Sequence, residues 1–354
     1  MPAGPGKSLN CSPMPLTPYN RPSAKEWAER IDASGQERIT LSFYKYHRIG
    51  DPAAFRDSLY AGFAALEVLG RIYVAGEGIN AQLSLPAIRL DGFRDLLDGI
   101  PFLRGVRLNI AVEHDNKSFL KLKIKLRDRI VADGIQDADF DSSKVGPHLD
   151  AKAFNEMISG QETLLVDVRN HYESEIGHFK GALRPDVDTF RESLGVIEKE
   201  VSGHAEGKNL VLYCTGGIRC EKASAYFLHK GFRNVYQLEG GIIEYLRQVK
   251  NQGLANKFLG KNFVFDERMA ERISEDVVSN CHLCGSACDQ HANCGNPACH
   301  VLFIQCASCS LRMGGCCSEA CQAVVSQPEE YQKALRSGRR SEARYFRRKK
   351  APGP

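Results

Sequence analysis

No run of 18 apolar residues occurs in the 354-residue sequence, which excludes an ordinary membrane-spanning helix. Residues 1–22 carry prolines and glycines but no apolar h-region. They do not read as a secretory signal and are expected to be a disordered lead-in. Flavin and haem motifs are missing, so no organic cofactor is in view. Charge excess is small as well, a formal +4, and any attraction to a polyanion must come from how the charges are distributed. The rest of the composition is ordinary: 43% hydrophobic and 25% charged residues suit a soluble protein, and the length calls for two or three domains. Most of the thirteen cysteines crowd into residues 281–321 at metal-like spacing, which argues for thiolate ligands in a reducing cytoplasm rather than disulfides.

The organising stretch is Leu210-Val-Leu-Tyr-Cys214-Thr-Gly-Gly-Ile-Arg219-Cys220-Glu-Lys-Ala. An apolar strand ends at Cys214, a glycine-containing loop of Thr215, Gly216, Gly217 and Ile218 follows, and a helix begins near Arg219. Loop amides, a helix N-terminus and an arginine all favour negative charge, so Cys214 should be a thiolate at lower pH than a free cysteine. A plain buried cysteine at a strand end is the competing reading. Against it, Arg219 is costly to bury without an anion to meet. Cys220 is either a resolving thiol for an oxidised Cys214 or a small residue filling the helix start.

The loop resembles that of the rhodanese (sulfurtransferase) family. Leu164-Leu-Val-Asp167-Val-Arg169, Ile176-Gly-His178-Phe-Lys-Gly181 and Gly231 to Gly241 match that family's flanking signatures. Four residues separate Cys214 from Arg219, where protein tyrosine phosphatases have five, so the cradle is too small for phosphate. Asp167 and Arg169 are expected to form an internal ion pair, and His178 to be structural.

Upstream, Ile39–His47, Gly70–Ala75, Ile79–Leu85 and Val106–Val112 read as strands, and Pro52–Glu67 and Ala87–Gly99 as helices. The first helix is opened by Asp51 with Pro52 at its first position. The order β-α-β-β-α-β implies a ferredoxin-like domain, a four-stranded antiparallel sheet with both helices on one face. In Leu120–Ile130 the cations Lys121, Lys123, Lys125, Arg127 and Arg129 alternate with aliphatics and share one strand face. That row either binds RNA phosphates or is a solvated amphipathic strand. Phe43-Tyr44-Lys45-Tyr46-His47 either stacks on bases or contributes core residues.

The cysteine block supplies enough thiolates for two tetrahedral sites. Cys281, Cys284, Cys294, Cys299, Cys306, Cys309, Cys317 and Cys321 are the chosen ligands, with Cys288 and Cys316 spare and His282, His291 and His300 as substitutes. Structural zinc is the preferred metal, with an iron–sulfur cluster open. Phe258 to Arg272 is expected to pack across the domains, with Phe263, Phe265 and Arg268 lining the thiol's pocket. The basic tail from Lys333 to Lys350, with Tyr345 and Phe346, suits RNA. The expected divisions are a lead-in 1–22, a ferredoxin-like domain 23–132, a linker 133–148, and a rhodanese-like parallel α/β domain 149–255. A connecting segment 256–280, a cysteine-rich zinc module 281–325 and the tail 326–354 complete the chain.

Over roughly residues 24–325 the arrangement resembles the bacterial rhodanese-containing tRNA uridine hydroxylases. That resemblance implies oxygen-dependent formation of 5-hydroxyuridine at wobble position 34, with the anticodon loop of tRNA as partner and molecular oxygen as cosubstrate. The family's essential loop cysteine falls on Cys214. Composition and spacing alone imply only a thiol enzyme that binds polyanions. A sulfurtransferase passing a persulfide from Cys214 and a non-catalytic RNA-binding adaptor are the alternatives.

Overall fold

The computed structural model describes residues 23–337 except 113–114, 138 and 204–206, together with 345–346. The expected lead-in and most of the basic tail lie outside the described residues.

The N-terminal unit runs α1 (Ala24–Ser34), β1 (Arg38–Tyr46), α2 (Pro52–Ala65), β2 (Leu69–Ala75), β3 (Gly78–Pro86), α3 (Leu90–Asp98), β4 (Asn109–Ile110) and β5 (Leu122–Leu126). Asp51 caps α2 by accepting from the Ala53 and Ala54 amides at 3.0 and 2.9 Å, with Pro52 following. Strand order is β4-β1-β3-β2-β5, so the expected ferredoxin-like arrangement is present with one addition. The sheet has five strands rather than four, and β5 lies parallel to β2. Leu122 joins the core and Ile124 packs against it, which seats the basic strand at the edge of the sheet. The fourth strand is two residues long, shorter than the expected 106–112: the Val106 amide donates back to the Leu103 carbonyl at 2.9 Å, and the Val112 amide donates to Glu271 Oε1 at 3.1 Å.

One face of this sheet packs on Phe63, Phe93 and Leu97 of the helices. The other presents Ser42, Tyr44, Arg71, Tyr73, Asn80 and Gln82, residues aligned across β1, β3 and β2 by the register Ser42↔Gln82↔Arg71 and Tyr44↔Asn80↔Tyr73. Gly78 in the β2–β3 turn has φ 145°, and a Cβ there would lie 2.1 Å from the Lys45 carbonyl oxygen, so the turn needs glycine.

The central unit contains β6 (His148–Leu149), α4 (Ala151–Met157), β7 (Thr163–Asp167), α5 (His171–Glu175), β8 (Gly177–Phe179), α6 (Phe190–Val201), β9 (Asn209–Tyr213), α7 (Ile218–His229), β10 (Val235–Leu238) and α8 (Gly241–Gln252). The sheet β6-β10-β9-β7 is parallel throughout. Alternation along β9 explains the layers. Leu210 and Leu212 face a core shared with α6 and α7, and Val211 and Tyr213 face one shared with α4 and α8. Arg169 and Asp167 are both fully buried and paired at 2.6 Å, and Arg169 also donates to the Gly177 carbonyl at 2.7 Å.

β11 (Phe258–Phe263) and β12 (Ala270–Arg272) then form a small antiparallel sheet with β8. The remainder carries the hairpin β13 (His291–Asn293) and β14 (Leu302–Ile304), followed by α9 (Ala307–Met313), α10 (Glu319–Val325) and α11 (Glu329–Arg336). Among the described residues no helix is long and apolar enough to cross a membrane.

Candidate active site

Cys214 sits where β9 ends, and the loop's backbone is turned around it by α8. The Ile242 and Ile243 amides at the start of α8 donate to the Cys214 and Thr215 carbonyls at 3.0 and 3.2 Å. With those carbonyls drawn away, loop amides face the sulfur, and the Gly217 N–H donates to Cys214 Sγ at 3.1 Å. Gly217 has φ 94°, and a Cβ there would come within 2.9 Å of the Tyr44 hydroxyl, so glycine lets this loop meet the N-terminal sheet.

Burial by itself would push the Cys214 pKa up. It is outweighed by a hydrogen bond from the Cys220 thiol, the charge of Arg219 and the amides of Arg219 and Cys220, and the thiol is lowered to about 6. Cys220 moves the other way, raised well above an ordinary thiol by burial and by its neighbour, so it stays protonated as a donor. Arg219 meets two anions. Its guanidinium forms a two-pronged pair with the buried Glu173 at 2.6 and 2.8 Å and stands close enough to Cys214 to stabilise the thiolate. Sequence reasoning passed over Glu173, although Asn170-x-x-Glu173 is a capping-box pattern whose carboxylate also accepts from the Asn170 amide at 3.0 Å.

Cys214 is fully buried, yet it borders a cavity. A cavity of about 310 Å³ lies between the loop and the open face of the N-terminal sheet, within the usual range for a small-ligand site. Cys214, Thr215, Gly216, Ile218 and Arg219 line one side, and Tyr44, Arg71, Tyr73, Asn80, Gln82 and Asn109 the other.

Direct bonds hold the two sides together. Tyr44 donates to Glu221 at 3.0 Å, Arg107 pairs with Glu239, and Asn109 Nδ2 donates to the Gly216 carbonyl at 3.4 Å. Lys222 of α7, almost wholly buried, bridges Glu77 of the β2–β3 turn at 2.6 Å and Asp133 at 3.0 Å.

The basic row is split by this architecture. Lys123, Lys125 and Arg127 are exposed, and Lys125 pairs in register with Tyr73 at the cavity. Lys121 is half-buried, and Arg129 lies past the end of β5, chelating Asp133 at 2.7 and 2.8 Å. Of the aromatic-basic run, Phe43 is core, Tyr46 lies over the Lys222 ammonium, His47 stacks on Phe102, and Tyr44 lines the cavity. Phe265 also lines it and lies 5.9 Å from the Arg219 guanidinium.

Two expectations need correction here. Phe263 packs against Tyr172 and His291 instead of the cavity, while Arg268, held by Asp266 and Glu271, lines a smaller pocket beside it with Thr215, Asn109 and Phe265. Tyr345 and Phe346, assigned to RNA, stack on Tyr172 at 4.0 Å and on His282 at 4.3 Å, since these flat apolar rings find partners on the protein's own surface.

The eight chosen cysteines fall into two groups, Cys281, Cys284, Cys306 and Cys309, then Cys294, Cys299, Cys317 and Cys321, each with its sulfurs within 4.8 Å of one another. Four thiolates at that separation fit a tetrahedral ion. Amide N–H groups of Cys306 and Cys317 reach Cys281 and Cys294 sulfurs at 3.4 Å. Cys288, Cys316 and the three histidines stand outside both groups, with His282 committed to Glu175 at 2.8 Å.

Three family profiles match in chain order: a UPF0176 acylphosphatase like domain over residues 38–130, a Rhodanese-like domain over 150–248, and Rhodanase C-terminal over 259–322. Relatives extend across almost the full length. A tRNA uridine(34) hydroxylase of Photorhabdus laumondii subsp. laumondii is 54% identical over 329 residues, 93% of each chain. Another, of Yersinia pestis (strain Pestoides F), is 54% identical over 333 residues, 94% of each. The chain belongs to the tRNA uridine(34) hydroxylase family. It is therefore an oxidoreductase with a rhodanese-like unit at its centre, as the sequence resemblance implied. In this hydroxylase the thiol loop faces a second domain across a cleft.

Proposed function

We propose that the chain hydroxylates C5 of uridine 34 in tRNA, with the Cys214 thiolate as nucleophile. The observation that carries the reading is a thiol lowered to about 6 at the wall of a 310 Å³ cavity whose other wall is polar and leads to exposed cations. Sγ adds to C6 and leaves the electron pair on C5 as an enolate. C5 then bonds one oxygen atom of dioxygen. The other oxygen leaves as water, using two electrons from a reductant outside the chain and two protons. Loss of the C5 proton and cleavage of the S–C6 bond restore the ring and free the thiolate. Arg219 and the loop amides stabilise the anions at each stage, and Cys220 supplies a hydrogen bond to the sulfur.

The wobble base is already unpaired in an anticodon loop and needs little unstacking to reach the cleft. Lys123, Lys125 and Arg127 are assigned to tRNA phosphates beside the opening. Two zinc ions held by the two thiolate groups are proposed to stabilise the C-terminal module, as structural sites closed to substrate. Such thiolate sites, and a tRNA substrate, fit a cytoplasmic protein.

Nucleoside mass spectrometry of tRNA from a deletion strain tests the reading. 5-Hydroxyuridine should vanish, return with the intact gene, and stay absent with Cys214→Ser. Loss of a thiolated nucleoside instead would establish sulfur transfer, and full rescue by Cys214→Ser would remove the thiol from the chemistry.

A further inference from the structure

One residue lining the cavity beside Cys214 carries a buried polar atom that the chain does not satisfy. Among the described residues lining it, Asn109 alone has a buried side-chain atom without a hydrogen-bond partner, its Oδ1. Asn109 is 4% exposed and stands on β4 opposite Ser42 of β1. Its Nδ2 donates to the Gly216 carbonyl in the thiol loop at 3.4 Å. A carbonyl takes only a donor, so the amide nitrogen must face Gly216 and the amide oxygen is the atom left over. Unmet buried acceptors are rare because they are costly, and one on a residue lining a cavity is available to a ligand's donor once a small side-chain turn exposes it.

Uridine offers one donor from its base. O2 and O4 accept, N1 carries the ribose, and N3–H remains. N3 and C6 lie across the ring from each other, so an atom on the sheet wall can hold N3 while the loop thiolate meets C6. In cytosine the N3 position is itself an acceptor and would face Oδ1 lone pair to lone pair. We propose that Asn109 is the specificity-determining residue for the base, its Oδ1 accepting the uracil N3–H and excluding cytosine. This rests on the reading that uridine 34 enters this cleft.

The test measures binding of anticodon stem-loop RNAs carrying uridine, cytidine or N3-methyluridine at position 34 to full-length protein bearing Cys214→Ser, so that no turnover intervenes. With Asn109 intact, uridine should bind roughly tenfold more tightly than cytidine or the methylated base. With Asn109→Ala added, the gap between uridine and cytidine should fall below about twofold, since the site no longer has an acceptor to match. Asn109→Leu also removes the carboxamide, leaves no acceptor, and supplies the comparison should the alanine protein not fold. Equal binding of the three RNAs to the Asn109 protein overturns the assignment, as does a uridine preference that survives both substitutions. Formation of 5-hydroxyuridine in tRNA of a deletion strain carrying the wild-type gene, where the cell supplies the reductant, is followed alongside. Its absence sinks the hydroxylase reading, whereas hydroxylation together with equal binding sinks only the role of Asn109.

Discussion

Removing the Cys220 thiol isolates the contribution of one donor to the charge on Cys214. The Cys220 thiol acts on its neighbour Cys214 as a donor, and that influence is among those that bring the Cys214 thiol down to about 6. Hydrogen bonds to a charged group contribute about 1.5–3 kcal/mol, and a thiol, being a weak donor, belongs at the low end. One pKa unit corresponds to about 1.4 kcal/mol. Loss of the donor disfavours the charged form, so Cys220→Ala should raise Cys214 by about one unit, from about 6 to roughly 7. At pH 7 the thiolate fraction would drop from about nine-tenths to about one-half. Cys220→Ser keeps a donor and should stay near the wild-type value. The assay is the pH dependence of iodoacetamide alkylation at Cys214, read by peptide mass spectrometry because the C-terminal cysteines also react. If alanine and serine variants share the wild-type midpoint, the hydrogen bond is not what lowers the pKa. A wild-type midpoint at the ordinary thiol value of about 8.5 would refute the whole electrostatic account.

Because the folded thiol is lowered, the reactive form is present above its pKa and lost below it, so kcat/KM should climb about tenfold per pH unit below about 6 and level off above. Glu173→Ala strands the buried Arg219 charge and removes the α5 cap, a destabilisation of about 3–5 kcal/mol that a lowered thermal midpoint would register. Elemental analysis should find two metal equivalents per chain, with about one retained in Cys281→Ser and in Cys294→Ser. Retention of both in either variant would contradict the grouping. Lys123→Glu and Lys125→Glu should weaken tRNA binding and flatten the log–log salt dependence by about 0.7–0.9 for each phosphate that is no longer neutralised. An unchanged slope would mean a solvated face.

The sequence revealed what is local. Cys214, its loop amides and Arg219 are contiguous, and a strand, loop and helix in succession suffice to predict an activated thiol. The eight metal-ligand candidates were also readable from spacing, but their division into two groups was not, since it depends on how segments ten or more residues apart are brought together. Long-range partners were invisible for the same reason. Glu173 is 46 positions from Arg219, and Asn109 is 107 from Gly216, so neither shows in any periodic pattern. Alternation also overreached at Arg129. The run of cations continued past Leu126, the last residue of β5, and beyond it the backbone turned to bring Arg129 to Asp133.

From 281 onward, the eight grouped cysteines alternate in pairs: two to the first group, two to the second, then back again. A ribosome that has just released Cys299 has delivered half of each set and a complete copy of neither. Four of the five thiols then in hand would, around a single ion, make a tetrahedron that belongs to neither group. The first group completes only at Cys309 and the second at Cys321, so an ion captured before then would have to exchange ligands to reach either group.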